Sequence, residues 1–241
     1  MEKTMENKQE KRWTMQEIGC VRSDFKEKFG IPRQSGRAPS LQAEIYLDKS
    51  IPLSACKELE NFSHIWVIFV FSQTAEQGWN ATVRPPRLGG NKRVGVFASR
   101  SPFRPNPIGL SCVKLEKVEQ RNEGVCLTVS GADLLNGTPV LDIKPYVPYA
   151  DCHSNALGGY AQEKKDYALK VHFPQSLLEQ IALEKQNAIL ECLADDPRPS
   201  YQDDPSRLYG MAFGEYEIKF QVRENELTVV QVESNKRKEN K

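Results

Sequence analysis

Two arginine-bearing loops and one carboxylate-bearing loop carry the side chains best suited to chemistry. Pro32-Arg33-Gln34 lies in the first loop, and residues 99–109 (SRSPFRPNPIG) form the second, where three prolines stiffen the backbone. The third, residues 131–139 (GADLLNGTP), carries Asp133. Arginine grips phosphate and carboxylate groups bidentately, and a carboxylate accepts protons. The set is therefore suited to an anionic substrate and to proton transfer.

Each loop also has a purely structural interpretation. Proline-rich connections are often only rigid turns, Asn136-Gly137 suits a turn of positive φ, and Asp133 can cap its own turn. A fourth segment, residues 195–201 (DDPRPSY), is a proline-rich helix exit that also presents Arg198 and Tyr201. Charged side chains must be exposed or paired. Together the loops hold more of them than a passive barrel rim needs.

The standard nucleotide and hydrolase signatures are missing from the sequence. It has no GxxxxGK[ST] loop and no GxGxxG between a strand and a helix, and its three histidines have no recognisable nucleophile context. The six cysteines form no CxxC pair, so we expect free thiols and no metal site. The formal net charge is +1, so any nucleic-acid role must rest on a local basic patch.

Short strands at close spacing predict a barrel or a sandwich. Seven strands are predicted, over residues 17–23, 42–47, 65–71, 93–99, 110–118, 125–130 and 140–143. The run at 65–71 is continuously apolar, which indicates a strand buried on both faces. Helices are predicted at 54–62 and, amphipathic, at 175–193, with closing strands at 215–222 and 227–232.

Composition predicts the domain limits. Small polar residues at 151–166 indicate a linker between a domain over 16–152 and a second over 160–233. The polar ends, 1–15 and 234–241, predict disordered tails. No stretch reaches the roughly 18 apolar residues of a membrane helix, and the charged start lacks a secretion signal. We therefore expect a cytoplasmic protein that is not bound to a membrane.

Four long stretches of the chain resemble one family. GCVRSDFKEKFGIPRQ, LENFSHIWVIFVF, PRLGGNKRVGVFASRSPFRPNPIG and GADLLNGTPVLDIKPYVPYAD closely resemble motifs of the TrmO (TsaA-like) family, and DDPRPSY resembles part of its C-terminal domain. The resemblance implies a mainly β fold: a single-sheeted β-barrel followed by a small α+β domain. It further implies a homodimeric methyltransferase dependent on S-adenosyl-L-methionine (SAM). Its implied substrate is N6-threonylcarbamoyladenosine beside the anticodon of threonine tRNA, methylated on the exocyclic nitrogen.

The same resemblance implies a set of cofactor contacts. Carried over by motif, they fall on Pro32, Arg33, Gln34, Ser72, Gln73, Arg100, Leu110, Asp133, Leu134 and Leu135. Ser72 stands where many family members have a histidine, so a backbone contact is the one expected there. Because these residues all precede the second domain, removing that domain from about Asp166 is predicted to spare SAM binding.

Roles in the reaction follow from side-chain chemistry. The acceptor nitrogen is a poor nucleophile because its lone pair is delocalised. We therefore assign its orientation or deprotonation to a carboxylate, Asp133 first and Asp142 second. Guanidinium groups of Arg33, Arg100 and Arg104 are candidates for tRNA phosphates or the threonyl carboxylate. The residues assigned to tRNA binding are Arg104, Asn106, Tyr146, Arg198 and Tyr201.

One alternative function stays open at this point. A non-enzymatic RNA-binding β-barrel would use the same arginines, with Phe103 and Tyr146 as stacking surfaces. The two functions differ in their need for SAM. A binding module should release no heat when SAM is titrated into it.

Both functions predict salt-sensitive RNA binding despite the small net charge. The candidate phosphate track comprises Lys26, Lys28, Arg33, Arg37, Arg84, Arg87, Lys92 and Arg93. Release of counterions should make tRNA affinity fall about tenfold or more between roughly 50 and 200 mM salt. Filter binding at several salt concentrations measures the slope, and a flat profile would contradict binding led by phosphate contacts.

Overall fold

A computed structural model describes residues 13–85, 92–199, 202 and 204–234. Most of the two predicted tails, and also Arg87 and Tyr201, lie outside the described residues.

Six antiparallel strands close into a barrel in the first half of the chain. The strands of this half are β1 (Gly19–Ser23), β2 (Gln42–Leu47), β3 (His64–Val70), β4 (Thr82–Val83), β5 (Val94–Gly95), β6 (Ile108–Arg121), β7 (Gly124–Ser130) and β8 (Pro139–Pro145). Around the barrel the order is β1-β2-β7-β6-β3-β8, and β8 pairs with β1 to close it. The short strands β4 and β5 form a separate ribbon. The predicted β-barrel is confirmed.

The barrel core is built from alternate residues of each strand. In β3, Ile65, Val67 and Phe69 are buried inside the barrel, while Trp66 and Ile68 are half-buried on its outer face. The prediction that this strand is buried on both faces is therefore wrong. A continuous apolar sequence does not reveal that the side chains still alternate between the two faces of the sheet.

The second half forms the small α+β domain that was predicted. The short helix α1 (Pro148–Asp151) still belongs to the barrel side, since its Asp151 accepts a hydrogen bond from Trp66 of β3 at 3.1 Å. The elements of the small domain are β9 (Lys170–His172), α2 (Gln175–Leu178), α3 (Leu183–Ala194), β10 (Tyr209–Phe213), β11 (Tyr216–Arg223) and β12 (Glu226–Ser234). The sheet order is β10-β11-β12-β9, with β9 parallel to β12. Ala188, Ile189, Cys192 and Leu193 recur at helical spacing and bury one side of α3 in this domain's core.

Several predicted elements are broken by local geometry. The helix predicted at 175–193 is divided into α2 and α3, and the Gln186 amide donates to the carbonyls of Leu178 and Ile181 at the break. The helix predicted at 54–62 is two 3₁₀ turns separated by Glu58, whose φ is 68°. The strand predicted at 93–99 shortens to β5 followed by the 3₁₀ turn Val96–Ala98.

The loop between β1 and β2 belongs to both domains. It leaves the barrel, yet its Phe25, Ala38 and Leu41 are buried in the core of the C-terminal domain. The Phe25 ring meets Phe213 edge to face, 5.2 Å between centroids. Gly30 has a φ of +94°, and a Cβ there would come within 2.6 Å of the Met211 side chain. This loop therefore ties the two cores together.

Burial raises the pKa of the Cys56, Cys126 and Cys192 thiols, so these groups stay protonated at neutral pH. In the described part of the chain, no cluster of three or more His, Cys, Asp or Glu could hold a metal ion. No helix among the described residues is long and apolar enough to span a membrane.

Candidate active site

A cavity of about 490 Å³ lies where the three predicted loops meet, and we call it the small cavity. The loop before β2, the proline-rich loop and the loop after β7 contribute Pro32, Arg33, Gln34, Ser99, Arg100, Arg104, Asn106 and Asp133. The end of β3 and the start of β6 complete its lining with Phe69, Phe71, Ile108, Gly109, Leu110 and Ser111. A concave site that mixes aromatic rings with a few polar groups is typical of a small-molecule pocket.

The small cavity brings together six of the ten residues expected to contact the cofactor: Pro32, Arg33, Gln34, Arg100, Leu110 and Asp133. The other four lie elsewhere. The Leu134 side chain is buried in the barrel core, and Leu135 packs against the C-terminal core. Ser72 and Gln73 are exposed beyond the end of β3.

Asp133 is the carboxylate of the small cavity. Ser111 lies on β6, and Asp133 lies in the loop after β7. The buried Ser111 hydroxyl donates a hydrogen bond to Asp133 Oδ1 at 2.6 Å. Burial raises the pKa of Asp133, although the Ser111 hydrogen bond and the positive charge of Arg100 act in the opposite direction. A carboxylate with a raised pKa is a stronger base, which suits a group that must accept a proton.

The second predicted carboxylate, Asp142, lies away from this cavity. On β8 it is paired in register with Ile68, on the outer face of the barrel, and its carboxylate binds Lys144 at 2.8 Å. Tyr146 comes directly after β8 and packs against Trp66, with ring centroids 5.8 Å apart. The fold therefore separates Asp142 and Tyr146 from Asp133.

The arginines near the cavity are held to different degrees. Arg100 donates to Gln34 Oε1 at 2.5 Å, so the two arginine-bearing loops meet through this bond. Arg104 donates to the carbonyls of Ser99 and Ser101 and so braces its own loop. Arg33 donates to two backbone carbonyls of the C-terminal domain. Among the three, Arg100 makes its hydrogen bond to a side chain of the cavity wall.

A buried carboxylate of the C-terminal domain fixes the Pro32-Arg33-Gln34 segment. The side chain of Asp195, at the end of α3, is 4% exposed. It accepts the Arg33 backbone N–H at 3.0 Å and Arg37 Nε at 2.7 Å. Arg37 also donates to the carbonyls of Lys165 and Tyr167. The wall of the small cavity is thus positioned by residues that do not line it.

Two further polar contacts fasten the same loop at its ends. Ser40 donates to the Glu191 carboxylate through both its backbone N–H and its hydroxyl, each at 2.8 Å. Lys185 on α3 binds Asp24 at 2.8 Å and Glu215 at 2.9 Å. The loop is therefore anchored to the C-terminal domain at its start, middle and end.

Arg198, assigned to tRNA from the sequence, is 8% exposed. Its guanidinium binds the Asp196 carboxylate at 2.9 Å and 3.0 Å. Burial acts to raise the pKa of Asp196, but the ion pair outweighs it and the pKa is lowered. Direct contact with RNA would require this paired side chain to leave its place, and the contact stays a prediction. Tyr201 lies outside the described residues.

Sequence reasoning missed Ser111 and Asp195. Ser111 sits within the alternating pattern of a strand, and nothing local reveals that it faces Asp133. Asp195 was interpreted only as part of a helix exit, because its partners are 158 and 162 residues away.

Comparison with known proteins gives consistent matches over both domains. The model described as "tRNA-methyltransferase O N-terminal domain" matches residues 20–152, and the "TrmO C-terminal domain" model matches residues 166–235.

Individual relatives agree with these models. The chain is 44% identical over 216 residues to a tRNA (adenine(37)-N6)-methyltransferase of Escherichia coli K12, covering 86% of this chain and 92% of that protein. It is 43% identical over 210 residues to a putative S-adenosylmethionine-dependent methyltransferase of Pseudomonas aeruginosa, covering 83% and 89%. A crystal structure of TrmO from P. aeruginosa superposes with a TM-score of 0.78 at 34% identity, covering 95% of this chain and all of that one.

The role of Asp195 predicts a specific loss of stability. Asp195→Ala leaves Arg37 and the Arg33 N–H without their shared acceptor, so the free energy of unfolding should fall by about 1–3 kcal/mol. Urea denaturation measures the change. Asp48→Ala is the control, because Asp48 is exposed and accepts only a local hydrogen bond from Ser50, and its effect should stay near 0.5 kcal/mol. Equal effects of the two substitutions would contradict the anchoring role.

Proposed function

The chain belongs to the tRNA-methyltransferase O family, and we propose on that basis that it uses SAM to methylate N6 of adenine 37 in tRNA. The observation that carries the proposal is the small cavity, where Asp133 lies among the loop residues Gln34 and Arg100. The proposal therefore joins family membership to a site whose groups can perform the reaction.

The lining of the small cavity fits SAM in kind and in size. Its volume of about 490 Å³ falls within the usual range for small ligands. SAM carries a carboxylate, an adenine ring and a positive sulfonium. The guanidinium of Arg100 suits the carboxylate, the Gln34 amide suits the edge of the adenine, and the aromatic rings of Phe69 and Phe71 suit apolar and cationic parts. When bound, SAM would supply the methyl group from its positively charged sulfonium. The rest of the molecule would leave as a neutral thioether.

The protein's part in the transfer is alignment and proton removal. Leu110 and the rigid proline-rich loop shape the space beside Asp133. The acceptor nitrogen is a weak nucleophile, so Asp133 accepts its proton as the new N–C bond forms and the S–C bond breaks. Ser111 holds the carboxylate in one orientation through its hydrogen bond. Asp142, on the outer barrel face, takes no part in this scheme.

We further propose the finer substrate that the family resemblance implies. It is N6-threonylcarbamoyladenosine at position 37 of threonine tRNA, whose threonyl carboxylate would bind Arg104, since Arg100 is assigned to the carboxylate of SAM. The same resemblance supports a cytoplasmic homodimer, which light scattering during size-exclusion chromatography would measure.

The rival function, RNA binding without catalysis, explains the site less well. A non-enzymatic RNA surface gains nothing from a carboxylate in its cavity, because a negative charge repels phosphate. Keeping Asp133 partly buried with a raised pKa is costly, and such groups cluster at active sites.

The decisive experiment is mass spectrometry of nucleosides from tRNA incubated with the protein and SAM. The tRNA should come from cells that lack this methylation, so that its substrate nucleoside is intact. We expect one added methyl group on the modified adenosine at position 37. Absence of that product, with a folded protein that binds SAM in calorimetry, would overturn the proposed reaction.

Asp133→Asn should abolish most activity without destabilising the protein. The side-chain amide of the variant cannot accept the proton of the acceptor nitrogen, so turnover should fall about 10²- to 10⁴-fold. In the parent, activity should fall on acidification at a higher pH than for an ordinary aspartate, because the raised pKa of Asp133 makes it protonate sooner. Steady-state kinetics across pH measures both effects.

Stability provides the complementary measurement for Asp133. A raised folded-state pKa favours the fold below the unfolded pKa, and this contribution is lost as pH rises through the folded pKa. At a pH above the folded-state pKa the ionised carboxylate therefore costs stability, and there Asp133→Asn should unfold at the parent's urea midpoint or above it. A variant that is both active and clearly destabilised would contradict the role of this carboxylate.

The anchoring of the first loop argues that the C-terminal domain supports SAM binding, against the prediction that its removal spares it. Asp195 does not line the small cavity, but it holds Arg33 and Arg37 in place. Asp195→Ala should therefore weaken SAM binding by roughly 1 kcal/mol, about fivefold. Calorimetry measures this, with Asp48→Ala as control and Arg100→Ala as the variant that alters the lining itself. Unchanged affinity in Asp195→Ala would show that the loop keeps its shape without the Asp195 hydrogen bonds.

A further inference from the structure

A second cavity, of about 1130 Å³, lies beside the first, and we call it the large cavity. The two share four lining residues, Arg33, Gln34, Ser99 and Arg100. The hydrogen bond from Arg100 to Gln34 therefore lies in their common wall. The volume exceeds the usual range of about 300–1,000 Å³ for one small ligand, so the large cavity has room for more than a single nucleoside.

The lining of the large cavity combines positive charge with aromatic rings. Besides the shared residues, it includes Arg84 and Arg93, and it presents the rings of Phe97, Phe103 and Tyr160. Among the described residues that line it, none is acidic. Cationic side chains interleaved with aromatic rings are the chemistry that binds single-stranded nucleic acid, through phosphates and base stacking.

Phe97 is the most exposed ring of this lining, at 77%. It projects from the 3₁₀ turn Val96–Ala98, which is fixed from several sides. Val96 is buried and its N–H donates to the Ala81 carbonyl at 3.0 Å, while the Tyr160 hydroxyl donates to the Ala98 carbonyl at 3.1 Å. Ser99 closes the turn by donating to the Val96 carbonyl through both its N–H and its hydroxyl. A large ring is thus held out in solvent by a rigid support.

The arginines at this site are arranged to bind an anion near the ring. Arg93 donates to the hydroxyl and carbonyl oxygens of Thr82 at 2.7 Å and 2.9 Å, which fixes its guanidinium beside the β4–β5 ribbon. Arg84 follows β4 and is exposed. Both lie on the lining that also carries Phe97.

We propose that the large cavity binds the acceptor adenine of a single-stranded RNA loop, with the base stacked on Phe97 and adjoining phosphates bound by Arg84 and Arg93. The inference rests on the proposed function, which it deepens by giving the RNA its binding site. The large and small cavities share the lining residues Arg33, Gln34, Ser99 and Arg100, so an adenine there lies beside the small cavity that holds Asp133. Taking the base out of the loop's stack is how enzymes reach such an atom.

The test uses an anticodon stem-loop RNA with either adenosine or an abasic site at position 37. Phe97→Ala should lower affinity for the adenosine RNA roughly tenfold, because base stacking on an aromatic side chain contributes that much. Affinity for the abasic RNA should not change, because it has no base to stack. Phe97→Trp should retain the parent's affinity. Fluorescence anisotropy at one fixed salt concentration measures all three proteins.

Tyr149→Ala is the matched control, because Tyr149 is 92% exposed and lines neither cavity. It should leave both RNA affinities unchanged. SAM affinity and the thermal midpoint should be the same in every variant, which shows that the fold and the small cavity are intact.

The outcomes separate this inference from the proposed function. If Phe97→Ala binds both RNAs as the parent does while the parent methylates tRNA, the large cavity is not the adenine site and the proposed function stands. If the adenosine RNA alone loses affinity while the parent methylates no tRNA, the binding site stands and the proposed reaction fails. Equal losses for both RNAs would also overturn the stacking role.

Discussion

The pairing of the buried Asp195 carboxylate with one loop is the constraint on which the rest of the molecule depends. A carboxylate removed from water is costly unless hydrogen bonds satisfy it, and here the Arg33 N–H and Arg37 Nε do so. The loop that supplies them also buries Phe25 and Leu41 in the C-terminal core. Both cavities use that loop as a wall, so their shape depends on contact between the two domains.

Asp195 and Asp133 show two opposite uses of an aspartate withdrawn from solvent. Asp195 is satisfied by a backbone N–H and a guanidinium, and it acts as an anchor. Asp133 accepts a hydrogen bond from the Ser111 hydroxyl, and Arg100 acts on it as a nearby positive charge. Burial outweighs both effects, so the pKa of Asp133 is raised. The burial that makes the Asp133 carboxylate costly to the fold also makes it a stronger base.

The two cavities divide the chemistry of the site. Arginines line both cavities, but the Asp133 carboxylate and the Ser111 hydroxyl lie in the small one, whereas the exposed Phe97 ring lies in the large one. Their shared wall at Arg100 and Gln34 comes from two loops that are far apart in the chain. A methyl donor and a nucleic acid can thus be recognised by different groups and still meet at one place.

The sequence alone was sufficient for the fold class, and it named residues that the structure brings together in one cavity. Motif resemblance and strand alternation predicted the barrel and the small α+β domain, and six of the ten cofactor positions expected from motifs line the small cavity. Strand alternation, visible within a few residues, left a barrel and a sandwich both open, and the barrel with its small domain and the cofactor positions are what the motif resemblance implied.

Only the tertiary structure decided which charged groups meet. Register around the closed barrel places Asp142 outside and Asp133 beside Ser111, and strand pairing between distant residues cannot be read from local pattern. Arg198 looked available for RNA, and although its partner Asp196 is only two residues away, the fold decided that its side chain is buried. Asp195 became an anchor because the fold brings a helix end against a loop that lies 158 residues earlier in the chain. Local sequence sets what each side chain can do, and long-range packing determines its partner.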